Sequence, residues 1–177
     1  MSELLKLHAD IEARVGSLRD EHADWLCRKG CDGCCRRLAE IPSLTAAEWD
    51  CLKAVLIQMP PQKLRRIGEA VAALATQTTR PYVCPLLDPA SGACQVYDGR
   101  PVACRTYGFY VQRGIGVYCK EIESQVNQGQ WATVVWGNHD VIDRRLEVLG
   151  ESRLLTEWFE ISGIRSASGP VIHNNCG

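Results

Sequence analysis

The residues in this chain best suited to chemistry are its cysteines, ten among 177 residues. Cys31-Asp-Gly-Cys34 is followed at once by Cys35, and Cys27 stands four positions before Cys31. A thiolate is a soft ligand, so clustered thiolates select zinc, copper(I) or iron–sulfur over magnesium and calcium. A Cys-x-x-Cys pair suits a metal because a tight turn lets both sulfurs reach one ion, and Asp-Gly favours such a turn. A continuing helical turn would set Cys27 and Cys31 on one face. Adjacent side chains tend to point apart, so one of Cys34 and Cys35 is expected to bind. The other would stabilise, bridge to a second metal or react. Cys84, Cys94 and Cys104 follow at ten-residue intervals, with Cys119 beyond them. No zinc-finger template has that spacing. Of the histidines, His8, His22, His139 and His173, only His22 and His173 fall near any cysteine, which favours an all-thiolate site. The competing reading is a cysteine buried as a small hydrophobe. It is preferred for Cys51, which sits beside Trp49 and Leu52, and Cys176 is not expected to be a ligand.

Elements must hold these thiols in place. Leu4, Ile11, Leu18 and Trp25 repeat every seven residues, with Leu7 or His8, Val15 and His22 in the offset row, which predicts an amphipathic helix over 3–26. On that face His8 and His22 read as core-edge residues. Gly30 is a stop signal soon after. Thr45-Ala-Ala-Glu48 is a capping box opening a helix that carries Trp49, Leu52, Val55, Leu56 and Met59. Pro60-Pro61 ends that helix and starts another with Leu64, Ile67, Val71 and Leu74 on its buried side.

From Arg80 to about Lys120, prolines and glycines break any long element. Short strands are expected near 108–111 and 115–118, joined as a hairpin across Gln112-Arg113-Gly114. So irregular a segment is expected to bury little apolar surface and to be held by a metal. Helical patterning returns at Val134, Val135, Val141, Ile142, Leu146 and Leu149, then Leu154, Leu155, Trp158 and Phe159. The expected fold is mostly α: a single helical domain over 1–177, with an irregular cysteine-rich metal-binding insert and one small β-hairpin. Metal-binding segments are expected at 27–35 and 84–119, and a flexible tail at 165–177.

Composition narrows the function. Hydrophobic residues make up 46% and charged residues 23%, as in a globular domain, and the net charge is −1. That balance gives no general attraction to nucleic acid or an anionic membrane. The basic pairs Arg36-Arg37, Arg65-Arg66 and Arg144-Arg145 read as solvated helix faces. The first residues show no secretory pattern, and no stretch nears the roughly 20 apolar residues that span a bilayer. A cytoplasmic, reducing location is expected, where dense cysteines point to metal chemistry and away from disulfides.

Four ordered blocks carry a resemblance: Cys31-Asp-Gly-Cys34-Cys35-Arg36, Cys84-Pro-Leu-Leu-Asp88, Gly92-Ala-Cys94-Gln-Val-Tyr97 and Asp98-Gly-Arg100-Pro101-Val-Ala-Cys104-Arg105. Over roughly 27–120 the chain resembles the CxxCxxCC family of zinc- or iron-chelating proteins, also called YkgJ-type cysteine-cluster or iron–sulfur-cluster-containing proteins. The resemblance implies that Cys31, Cys34, Cys35, Cys84, Cys94 and Cys104 share in metal binding, with Cys119 a further match. Cys27 departs from the pattern, since three residues separate it from Cys31 where the family has two. Arg100 and Arg105 flank Cys104 and would balance an anionic cluster; alternatively Arg100 pairs with Asp98 at a turn.

Three functions compete. One is metal binding without turnover, including a purely structural zinc. Another is an iron–sulfur redox protein with a protein redox or delivery partner. The third is a lysine N-methylase-like enzyme, as described for some relatives, although no strand, glycine-rich loop and helix follow in order here. A single zinc or cubane needs four thiolates. Six to eight candidates exceed that, which implies two metals or thiols beside the centre.

Overall fold

The computed structural model describes residues 2–164; the expected tail at 165–177, with His173 and Cys176, lies outside the described residues. In chain order the elements are helix α1 (Glu3–Glu21), the short α2 (Gly33–Arg36), strand β1 (Ser43–Thr45), helices α3 (Ala46–Leu56) and α4 (Pro61–Thr76), and strands β2 (Leu87–Asp88) and β3 (Ala93–Cys94). A 3-10 turn at Tyr97–Gly99 leads into α5 (Val102–Thr106), β4 (Tyr110–Gln112), β5 (Ile115–Val117) and α6 (Lys120–Asn127). Then come β6 (Gly137–Asn138), α7 (His139–Glu147), β7 (Ser152–Leu154) and α8 (Leu155–Ser162). The fold is mostly α, with sheets of only two or three strands among the described residues. No helix among them is long and apolar enough to cross a membrane.

The chain forms two compact units, each from two separated stretches. One comprises Lys29–Pro101 and, among the described residues, the chain from Gly150 to Ile164. Its α3 opens with the expected capping box: the Thr45 hydroxyl accepts from the Glu48 amide at 3.3 Å, and the Glu48 carboxylate accepts from the Thr45 amide at 2.8 Å. Pro61 stands in the first turn of α4, where its missing N–H costs nothing. Leu52 and Leu56 of α3, Leu64, Ile67 and Val71 of α4, and Leu155 and Phe159 of α8 bury a largely aliphatic core. β1 pairs antiparallel with β7, Ser43 opposite Leu154, tying the entry of α3 to that of α8.

The cysteine-rich stretch buries more apolar surface of its own than expected. Leu86, Leu87 and Val96 are all buried, and Leu86 and Val96 belong to that same core. The expectation failed because these three sit singly between turns, where no periodicity marks them.

The other unit comprises Met1–Arg28 and Val102–Leu149. Leu4, Leu7, Ile11, Val15 and Leu18 form the buried stripe of α1. The helix ends at Glu21, five residues short of the expected boundary. Trp25 is nonetheless buried, because a turn carries it among aromatic rings, 4.8 Å from Trp131 and 5.8 Å from Phe109 between centroids. Ring packing here overrides helical continuation. The expected hairpin is present: β4 and β5 pair antiparallel, Gln112 opposite Ile115. Arg113 and Gly114 both take positive φ, as a two-residue hairpin turn of the right twist requires. β6 adds in parallel to β4, and Gly137 gives the Tyr110 ring a bare backbone to lie on. Val134 and Val135 lie outside any helix, and Val135 is exposed, so the helical pattern read across them was a coincidence of spacing.

Candidate metal centre

Among the described residues, eight cysteines stand outside any disulfide: Cys27, Cys31, Cys34, Cys35, Cys84, Cys94, Cys104 and Cys119. Five of them, Cys31 to Cys94, belong to the unit built on α3, α4 and α8; Cys27, Cys104 and Cys119 belong to the other. Cys51, read as a packing residue, is buried on α3 but is held in a disulfide, against the expectation that the cysteines avoid them.

Within the first of these units, four thiols are brought together. Cys34 and Cys35 lie on α2, opened by Asp32 as its N-cap residue. Cys84 arrives on an extended segment that pairs with the chain just after α2: Leu38 and Tyr82 exchange both backbone hydrogen bonds, at 2.9 and 3.0 Å. The Cys84 amide then donates to the Cys35 carbonyl at 2.7 Å, which sets the two residues side by side. Cys94 is placed by β3, opposite Leu87 of β2. Cys84 and Cys94 are both partly buried against the aliphatic core.

The four interact through sulfur. Cys34 and Cys35 share a side-chain hydrogen bond, and Cys35 shares another with Cys84. Cys34 and Cys35 therefore interact with each other, where adjacent side chains were expected to point apart. The bond with Cys35, together with burial, holds the Cys34 thiol far above the ordinary range. At Cys35 the bond with Cys34 favours the thiolate, but the bond with Cys84, burial and the nearby Cys84 and Cys94 push it up to about 12. Burial also raises Cys94, against the pull of the Val96 amide and the Arg100 guanidinium. Arg100 thus acts on Cys94, and it also lies 3.7 Å over the Tyr97 ring. Cys31 is exposed at the entrance to α2.

The remaining candidates sit differently. Cys27 packs against the bare backbone of Gly108 and is not on a helical turn with Cys31. Cys104 lies on α5, and Cys119 caps α6, where burial raises its thiol. Arg105, expected beside Cys104 as a counter-charge, pairs with Glu12 at 2.8 Å. The histidines have packing roles: His22 sets its ring 5.2 Å from Trp131, and His139 bonds Thr106 at 3.0 Å. His8 has a buried Nε2 without a hydrogen-bond partner, and burial first, then Arg105, lowers it to about 4 against the pull of Glu12.

Among the described residues, no group of three or more cysteine, histidine or acidic side chains is drawn together as a finished metal cage. The quartet Cys34, Cys35, Cys84 and Cys94 is instead a set of neighbours, with Cys35 interacting with Cys34 on its own segment and with Cys84 of the 84–94 loop. Its donor chemistry fits a soft metal: four thiols at one place match the four that a structural zinc or a cubane requires. Two groups here escaped the sequence reading. Arg36, taken for a solvated charge, binds Asp32 at 2.6 Å, and a Cβ on Gly92 would press on that Asp32. The i,i+4 spacing of Asp32 and Arg36 was the available signal.

A family model described as a putative zinc- or iron-chelating domain, CxxCxxCC, matches residues 26–133. The chain belongs to the CxxCxxCC family. The matched stretch takes in all eight of the cysteines named above as outside disulfides. Membership in the CxxCxxCC family supports metal binding by this chain, with zinc or iron as the metal. No curated protein and no solved structure matches the chain.

Proposed function

We propose that this protein holds a thiolate metal centre whose ligands are Cys34, Cys35, Cys84 and Cys94, with the exposed Cys31 beside it as a surplus thiol. The observation that carries the reading is the position of Cys35, whose carbonyl accepts from the Cys84 amide at 2.7 Å and whose thiol interacts with Cys34 and Cys84. Replacing the thiol protons by one metal would give all four sulfurs a common partner. An all-cysteine donor set accepts zinc and iron–sulfur alike. The number of cysteines tips the reading to iron–sulfur, with a redox or metal-handling role, a protein partner for electrons or metal, and a reducing cytoplasmic compartment that keeps the thiols available.

The test is anaerobic purification followed by visible absorption and elemental analysis for iron, zinc and acid-labile sulfide. A coloured protein with iron and sulfide in matching amounts is expected. A colourless protein with stoichiometric zinc would move the role to structure or chelation. Cys35→Ser and Cys84→Ser should each abolish stoichiometric metal; retention of full metal content by both would end the assignment of this quartet.

A further inference from the structure

Two loops supply the quartet, one running through Cys31–Cys35 and the other through Cys84–Cys94. They are joined at two places. Near the thiols, the Leu38–Tyr82 bridge and the Cys84-to-Cys35 hydrogen bond hold them as paired backbone. At the far end there is no backbone pairing, and the join is made by side chains. The Arg36 Nε donates to Asp32 Oδ2 at 2.6 Å, and the Arg36 Nη2 donates across to the Pro89 carbonyl at 3.5 Å. Gly92 closes the same join from the opposite loop. Its φ is +68°, and a Cβ there would lie 3.2 Å from Asp32 Oδ2 and 3.3 Å from the Gly30 carbonyl.

Arg36 and Asp32 are 47% and 26% exposed, and ion pairs as open to water as this add little to global stability. Their geometric effect is larger. One guanidinium fixes the turn that launches α2 and also reaches the tip of the loop that ends in Cys94. A shift of either loop by a fraction of an ångström would alter the bite of four thiols, and groups that orient ligands are commonly worth 10- to 100-fold in metal affinity.

We infer that Asp32 and Arg36 are positioning residues for the thiol centre: an Asp32–Arg36–Pro89 clasp, seated on Gly92, sets the distance between the two ligand-bearing loops. The inference rests on the quartet reading above. A single guanidinium makes both contacts, so breaking either side should release the other.

The experiment uses the full chain with cobalt(II) as the probe and zinc in competition. It compares wild type, Cys35→Ser, Asp32→Asn, Arg36→Gln, the double variant, Arg36→Lys and Gly92→Ala. Asp32→Asn and Arg36→Gln should each weaken cobalt(II) binding by about 10- to 100-fold. The double variant should be no weaker than the weaker-binding single one. The cobalt–thiolate absorption should change in shape and intensity, while the metal-free thermal midpoint stays at the wild-type value. Arg36→Lys, which reaches one partner but not both, should recover part of the affinity. Gly92→Ala, which presses on the clasp without removing a charge, should also weaken binding, and it guards against reading a lost charge as a lost position. Affinities within twofold of wild type and an unchanged spectrum in Asp32→Asn and Arg36→Gln would overturn the clasp. If that happens while Cys35→Ser loses cobalt(II), only the clasp has failed. If wild type takes up no cobalt(II), the quartet reading has failed and the clasp falls with it.

Discussion

The two units spend their cysteines differently. In the unit of α3, α4 and α8, thiols bond to thiols on the edge of an aliphatic core that already includes Leu86 and Val96. In the unit of α1 and α5–α7, the core is rich in rings, with Trp25 set among Phe109, Trp131 and Trp136. There Cys27 packs on Gly108 and Cys119 caps a helix. The difference teaches that cysteines of one chain can sit in unlike surroundings: Cys84 and Cys94 lie against an aliphatic core, while Cys27 meets bare backbone.

Proton release should expose this contrast most strongly. Cys34, Cys35 and Cys94 are raised and therefore neutral at neutral pH, so a metal must displace their protons and binding must tighten as pH rises. Affinity should fall by up to about four decades for each pH unit of acidification, with about four protons released per metal. Calorimetry in buffers of different ionisation enthalpy counts them. Cys35→Ser should abolish the metal-linked proton release and Cys119→Ser should leave it unchanged; equal losses from both would erase the distinction between the units.

Next in size is the aliphatic core itself. Phe159 is fully buried, and Phe159→Ala should cost about 3–5 kcal/mol in denaturant unfolding. A third effect belongs to the ring-rich unit. The folded pKa of His8, about 4, lies below its ordinary 6.5. Stability from the neutral ring is thus fully present above about pH 6.5 and lost as pH falls toward 4. Discounted for partial exposure, the loss is on the order of 1–2 kcal/mol and should flatten in His8→Leu, read from unfolding midpoints across that window. Thr45→Ala removes one half of the capping box and should cost about 1 kcal/mol. The smallest expected change is in helical circular dichroism on stripping the metal with a chelator. It should barely move, and a collapse of helicity would show that the core does depend on the centre.

What the sequence disclosed was mostly local. The Thr45–Glu48 box, the Pro60-Pro61 break, the stripe Leu64, Ile67, Val71, Leu74 and the Arg113-Gly114 turn are each set by residues within a turn or two of one another. Pairing of Ser43–Thr45 with Ser152–Leu154 joins two tripeptides more than a hundred residues apart, too short to carry a pattern. The end of α1 was misplaced because Trp25 kept the heptad while ring packing took it off the helix axis. At the candidate site the thiols were legible from type and spacing. Their grouping was not, since it depends on the Leu38–Tyr82 pairing and on an arginine reaching Pro89 from across a loop.

The interleaving of the two units has a consequence for biosynthesis. The chain passes from one unit to the other after Arg28, after Pro101 and after Leu149. One unit lacks its last helix until α7 has been made, and the other until α8, which ends at Ser162, has followed. Neither can therefore mature while the nascent polypeptide is still short, although Cys34 and Cys35 leave the ribosome early. These sulfhydryls are made well before α8, the last helix of the unit that shelters them. A metal held by these thiols would then be taken up only after α8 has been made.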